Sequence, residues 1–321
     1  MHFSPTLPAW LASLSLVVTA AGSPTESSLQ PRKALKNVRY PGVPQSGGYG
    51  DNWASLVNTA GPREWLKNLT DFHNRDFYSD YGVEAGQWLY TLAMNLAAPN
   101  PAIVGTSYAH KYSRQESFVI TIPGKHPEIS VVVATNFDAT TGNVDARAPG
   151  ADDNGSAVVT HLEALRILAE QKYQGWHNIE FHFYAGTRAG HVGSRDVMAA
   201  YYEADRKIIA YLDQSQTGFG SSTRRVTVCQ EFSYEPLEDY VIAIIEKYSL
   251  VEPDYELDCR GGNHATAFNH HHPTIHVTGK TAGWKTRPND AKNDGYESVN
   301  WLSVQRHAMF TMQFLAEASN A

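Results

Sequence analysis

The sequence predicts a single α/β domain with a central sheet covered by helices on both faces. Two observations carry that prediction. From Ser117 onward, apolar strand-like runs alternate with helical ones, the order that builds a sheet between helices. Within them, Val131-Val132-Val133-Ala134 is apolar without alternation, as a strand buried on both faces must be. The 321 residues, 42% hydrophobic and 11% aromatic, are enough to fill such a core. The net charge of −7 provides no basic surface for nucleic acid.

At the N-terminus, the apolar run 10–18 followed by Thr19-Ala20-Ala21 has the layout of a secretory signal peptide, here residues 1–21. The run is too short and too rich in Ser to span a bilayer, so the expectation is a secreted, extracellular protein and not a membrane one. Asn68-Leu69-Thr70 is a glycosylation sequon usable in a secreted chain, with Asn68 as the acceptor. Residues 22–50, rich in Ser, Pro, Gly and Lys, read as an extended lead-in, and the folded domain as 51–321.

Val83, Trp88, Leu89, Leu92 and Leu96 recur at helical intervals up to Ala97-Ala98-Pro99 and predict an amphipathic helix. Strands are expected at 118–122 and 129–134, separated by a Pro123-Gly124 turn, then a helix from Ser156 and a strand over 179–184. A strand over 208–212 ends at Asp213. A helix carrying Leu237, Val241, Ile244 and Ile245 follows Pro236, and 274–277 form another strand. Asn300 caps a terminal helix through Trp301, Val304, Ala308 and Leu315.

Ligands of an open α/β sheet bind beyond the carboxyl ends of its strands, so the residues that follow each strand are the candidates for chemistry. These are Asn136-Phe137-Asp138, the stretch 148–156, the stretch 185–190, and Asp213. Asp before a helix is an ordinary cap, which accounts for one member of Asp152-Asp153. Adding Asp213 brings a second strand's carboxylate to the same edge, and converging carboxylates need a cation.

Three stretches carry a family resemblance: Arg147-Ala148-Pro149-Gly150-Ala151-Asp152-Asp153-Asn154-Gly155-Ser156, Ile179-Glu180-Phe181-His182-Phe183-Tyr184-Ala185-Gly186, and Asp71-Phe72-His73-Asn74-Arg75. Together they resemble the fungal secreted leucine aminopeptidases of the co-catalytic zinc aminopeptidase family, from about Tyr40 to the C-terminus, including Tyr296-Glu297-Ser298-Val299-Asn300. The resemblance implies a mixed central sheet of the phosphorylase/hydrolase-like, zinc-aminopeptidase type. It also implies two zincs held by a strand-end His, a bridging Asp, a Glu, a second Asp and a late His, with a further Glu as general base.

Carried over position by position, the resemblance places Asn136 where the first His belongs and keeps the Asp that follows as Asp138. Asp152 matches the bridging Asp and Asp213 the second Asp. Thr187 and Arg188 replace the Glu-Glu pair of base and zinc ligand. Aligned back from Asp294, the late His falls at Asp290, one residue short in its spacing from Pro288. The family's Ser-Asp-His-Ala is here Gly262-Asn263-His264-Ala265, and the Tyr that would face the oxyanion is Cys259. With Asp153 these positions line the expected cleft.

A guanidinium at 188 stays protonated and supplies the charge a dication would, so Arg188 is expected to pair with Asp152 and Asp213. Thr187 cannot serve as proton shuttle. The resulting expectation is a family member without its dinuclear site or base, needing no cofactor and binding a peptide or protein ligand in its cleft. The rival is an active aminopeptidase with one zinc on Asp152, Asp213 and Asp290, three ligands being the usual catalytic count. Single-zinc glutaminyl cyclases share the fold but need a Glu where Arg188 stands. No Gly-x-Ser-x-Gly elbow occurs.

Of the 14 His, the run His270-His271-His272 reads as an exposed loop. His182 and His276 read as hydrogen-bonded core residues on strands, and His191 as a residue near the cleft without a role. Whether Cys229 and Cys259 pair is open at this level, because sequence does not place their Cα atoms within bridging distance.

Overall fold

The computed structural model describes residues 16–19, 38–45, 49–218, 225–248, 252–256, 259, 262–279 and 290–321. The elements run β1 (Leu16–Thr19), α1 (Tyr49–Ala54), α2 (Ala60–Asp71), α3 (Asp80–Ala97), β2 (Val104–His110), β3 (Ser113–Ile122) and β4 (His126–Asn136). A π-helical turn, Ala151–Ser156, leads into α4 (Ala157–Glu170), β5 (His177–Tyr184), α5 (Val192–Glu203) and β6 (Lys207–Ser215). Then come β7 (Arg225–Cys229), α6 (Glu235–Tyr248), β8 (Glu252–Glu256), α7 (Asn263–Asn269), β9 (Thr274–Thr278) and α8 (Asp290–Asn293). A 3₁₀ turn, Tyr296–Ser298, precedes α9 (Trp301–Ala318).

One mixed sheet joins the strands in the order β1-β2-β3-β5-β4-β6-β9-β7-β8. Strands β5, β4, β6 and β9 are parallel, while β3 runs antiparallel to β5 and β7 antiparallel to β9. Alternate residues of the parallel strands enter two cores. Val131, Val133, Phe181 and Leu212 pack on the side of α2, α3, α4, α6 and α9. Val132, Ala134, Tyr184 and Tyr211 pack on the side of Val197, Met198 and Tyr201 of α5 and Ala267 of α7. Both faces are covered, which is why the strand sequence shows no alternation.

The expected elements appear with small shifts. Strand β6 continues past Asp213 to Ser215, and α9 is capped as predicted, the Asn300 side chain accepting from the Leu302 and Ser303 amides. In α3 the fully buried line is Gly82, Ala85, Gly86, Leu89, Ala93 and Ala97, with Trp88 and Leu92 half-buried beside it. Small residues let this helix lie close: a Cβ on Gly82 would sit 2.0 Å from the Asp76 carbonyl oxygen. Short elements with weak patterns, α5 and β7 among them, were not predicted from the sequence.

Leu16–Thr19, within the leader-like segment, pairs in parallel with β2. Tyr40, in the lead-in, stacks on Tyr240 with ring centroids 5.2 Å apart. No described helix is long and apolar enough to cross a membrane.

Candidate metal and substrate site

The parallel strands β5, β4, β6 and β9 deliver Tyr184, Asn136, Asp213 and His276 toward one edge of the sheet. Two connections complete that edge: the turn 151–156 and the start of α7. Arg75 knits the first of them together. Fully buried, it donates from Nε to the Phe137 carbonyl at 2.6 Å and from Nη2 to that of Gly150 at 2.8 Å. Burial lowers its pKa to about 10, still a cation at neutral pH. Gly150 has φ +54, and a Cβ there would meet that guanidinium at 2.7 Å, so the position requires glycine. Asp294 holds the turn from the other side, accepting the Asp152 and Asp153 amides on its two oxygens, each at 2.8 Å.

The ion pair at the centre of the edge differs from the expected one. The Arg188 guanidinium donates to Asp153 Oδ2, not to Asp152 or Asp213, and its backbone amide donates to Asp138 Oδ2 at 2.9 Å. The reason is local geometry. Asp152 turns inward, where its Oδ1 accepts from the Gly218 amide and the Ser156 hydroxyl, both at 2.9 Å. Burial pushes the Asp152 carboxyl up to about 8, with Asp294 and Asp153 adding to the effect. Asp153, the carboxylate that Arg188 reaches, is the more exposed of the two, with 29% of its side chain accessible.

The other substituted positions form protein-to-protein hydrogen bonds. Asn136 donates to Asp138 Oδ1 at 3.0 Å and accepts from Asn154 Nδ2 at 3.1 Å. Burial raises the Asp138 carboxyl, against the hydrogen bonds it receives. The Thr187 hydroxyl donates to Asn263 Oδ1 at 3.3 Å, and Asn263 Nδ2 to Asp213 Oδ1 at 3.3 Å. Asp290 begins α8; its backbone is described and its side chain lies outside the described residues.

Asp213 has partners that sequence reasoning did not assign to it. Its Oδ2 lies 3.3 Å from His264 Nδ1 and 3.0 Å from His276 Nδ1, and accepts the His264 amide at 3.2 Å. His276 is therefore not only a core histidine. The signal was available, since Asp213 and His276 are register partners on adjacent parallel strands, but that pairing is not visible without the strand order. Burial raises the Asp213 carboxyl, but the two imidazoles outweigh it and hold it well below the usual range.

His182 is a core residue as expected, bonded to Tyr184 and Glu180. In the triple-His run His271 is exposed, but His272 is buried because the chain turns inward toward β9. The two cysteines, Cys229 and Cys259, are joined, with Cα atoms 6.0 Å apart. Asn68 is exposed on α2, while Thr70 of the same sequon is buried.

Asp138, Asp153 and Asp213 thus share the carboxyl edge of an open α/β sheet, the place where such sheets bind ligands. The model of Peptidase family M28 matches residues 117–315, and the chain belongs to that family. It is 34% identical over 278 residues to leucine aminopeptidase 1 of Trichophyton equinum, covering 78% of this chain and 72% of the relative. The LapA aminopeptidase of Legionella pneumophila superposes with a TM-score of 0.81 at 20% identity, over 91% of this chain and 77% of that one. The glutaminyl cyclase of Porphyromonas gingivalis superposes with a TM-score of 0.67 at 15% identity, over 82% of this chain and 99% of that one. These likenesses bear out the predicted fold and family.

The family is zinc-dependent, but the donor set here does not fit a dinuclear zinc site at the family's positions. An amide at 136, a hydroxyl at 187 and a guanidinium at 188 are not zinc ligands, and the guanidinium is already paired with Asp153.

Proposed function

We propose that this protein is a secreted, extracellular family member whose cleft binds a peptide or protein ligand without hydrolysing it. The observation that carries the reading is the Arg188–Asp153 pair: a fixed organic cation stands where the family's zinc-ligand Glu belongs. The residue at the family's base position supports it, because Thr187 cannot ionise near neutral pH and is bonded to Asn263. Secretion is supported by the leader-like segment and by the disulfide, a bond that persists in oxidising compartments. Net charge −7 favours a peptide-like partner over nucleic acid.

The test is hydrolysis of leucyl-p-nitroanilide by the purified chain, with and without added zinc, alongside calorimetric titration with a peptide library. The expected result is no release of nitroaniline and saturable binding that Arg188→Ala alters. Zinc-dependent turnover by the wild-type chain that a chelator abolishes would overturn the reading.

One observation favours a second reading, an active single-zinc aminopeptidase: the grouping of Asp213 with two imidazoles. It differs from the Asp152, Asp213 and Asp290 set read from sequence, since Asp152 faces inward. Thr187 stands at its general-base position.

A further inference from the structure

We infer that Asp213 Oδ2, His264 Nδ1 and His276 Nδ1 form a mononuclear site for a zinc-class divalent cation, separate from the position that Arg188 fills. The inference goes beyond the reading of the cleft and does not depend on whether the protein hydrolyses peptides.

The ligand types are the first argument. Two imidazoles and a carboxylate are a common zinc donor set, and among the described residues this is the grouping whose ligand atoms all lie within 4.8 Å of one another. The separations from Asp213 Oδ2 to the two Nδ1 atoms, 3.0 and 3.3 Å, are close to the ~3.3 Å edge of a tetrahedron with ~2.0 Å metal bonds.

Charge is the second. Asp213, with its side chain 3% exposed, sits against an amide, a backbone N–H and two imidazoles, and among the described residues no Lys or Arg pairs with it. A divalent ion would bind the oxygen that faces the two imidazoles and leave the carboxylate its contacts with Asn263 and the His264 amide.

Space is the third. Gly262 has extended backbone, φ −138, which any residue adopts, so its lack of a side chain is not needed for conformation. A Cβ at that position would lie 2.9 Å from His264 Nδ1 and 3.1 Å from Asp213 Oδ2. Glycine therefore leaves room beside the two ligand atoms.

Supporting contacts hold the ligands. Ser215 Oγ lies 3.1 Å from His276 Nε2, which orients the ring with Nδ1 toward Asp213 Oδ2, and Asn263 Nδ2 steadies Asp213 Oδ1. The strand β7, carrying Cys229 of the disulfide, pairs with β9 at His276. An ion here would tie α7 to β6 and β9.

The experiment uses the full mature chain with any affinity tag removed, equilibrated with excess Zn²⁺ or Co²⁺ and freed of loose ions. One metal per chain is expected. The cobalt form should show the visible bands of low coordination number, and zinc-edge absorption should show imidazole scattering from two histidines. His264→Gln and His276→Gln should each weaken binding at least tenfold, while His270→Ala/His271→Ala should leave it intact. No retained metal would overturn the inference. So would a metal that survives both glutamine variants, or one lost with His270→Ala/His271→Ala or Asp153→Asn. If the glutamine variants fail to fold, the absorption spectrum of the wild-type chain decides alone, because the family's own ligand positions hold no histidine in this chain.

Discussion

Arg188 binds two carboxylates through different groups: its guanidinium holds Asp153 Oδ2, and its own amide N–H holds Asp138 Oδ2 at 2.9 Å. Asp138 and Asp153 lie at the two ends of the connection from β4 to α4, and Arg188 follows β5, so one residue joins two strand-end connections. In the family such a junction is made by metal. Here an organic cation and a peptide amide make it.

The pair is half exposed, with Arg188 53% and Asp153 29% accessible. Exposed pairs contribute little, so Arg188→Ala should change unfolding free energy by less than about 1 kcal/mol in urea titrations. The triple variant Asn136→His/Thr187→Glu/Arg188→Glu should retain at least one more zinc per chain than wild type in elemental analysis. An unchanged metal count would show that Arg188 does not block the family position.

Asp152 gives a pH signature. Its folded-state pKa of about 8 lies above the ordinary carboxylate value, so the folded protein keeps a proton that the unfolded chain loses. Stability is therefore lost as pH rises from about 4 through 8. Asp152→Asn keeps an acceptor for the Gly218 amide and removes the titration. It should raise stability at pH 8 by more than about 1 kcal/mol and have little effect at pH 4, read from urea midpoints.

Much of this was legible in the sequence. The unbroken apolar run at 131–134, the Asn300 cap and the strand ending at Asp213 each reflect a local rule that the structure obeys. The reading of Asn136, Thr187 and Arg188 as substituted positions came from the family resemblance and from no local rule. What could not be read was direction and neighbourhood. Whether Asp152 or Asp153 reaches Arg188 depends on the path of the turn 151–156, which Asp294 holds from 141 residues away. His276 meets Asp213 only because β9 pairs with β6, a choice that periodicity does not encode.

Glu180 is a second buried carboxylate, and its charge is well compensated. It accepts from Ser130 at 2.7 Å, Arg206 at 2.6 Å, Tyr201 at 2.7 Å and His182 at 3.0 Å. Burial alone would raise its pKa, but His182, Arg206 and Ser130 outweigh burial and bring it to about 2. Its stabilisation is present above about pH 4.5 and lost as pH falls through 2. Glu180→Ala leaves four polar groups without their acceptor and should cost about 3–5 kcal/mol in denaturant unfolding, with Glu180→Gln costing less.

His307 on α9 is 1% exposed, and neither of its ring nitrogens has a hydrogen-bond partner among the described residues. Burial lowers its pKa to about 3, and that of His161 to about 4. The unfolded chain gains protons at these residues below about pH 6.5 while the folded one does not, so stability falls with pH from there downward. His307→Leu should reduce that slope. At pH 4 the wild type should lose on the order of 3 kcal/mol relative to the variant, compared with their difference at pH 7 in urea titrations.

The Cys229–Cys259 bond joins the end of β7 to the approach to α7, and so encloses α6 and β8 in one covalent loop with a sequence separation of 30. Closing a loop of that length removes unfolded-state entropy equivalent to about 3–4 kcal/mol. Reduction should lower the thermal midpoint, and Cys229→Ser/Cys259→Ser should reproduce the shift. The local consequence is more specific. Cys229 is the register partner of His276, and Cys259 lies three residues before Gly262, so the bond borders the Asp213 cluster on both sides. Reduced protein should therefore bind Co²⁺ more weakly than oxidised protein, in an absorption titration under anaerobic conditions with a non-chelating phosphine. Equal affinities would show that the cluster keeps its geometry without the bond.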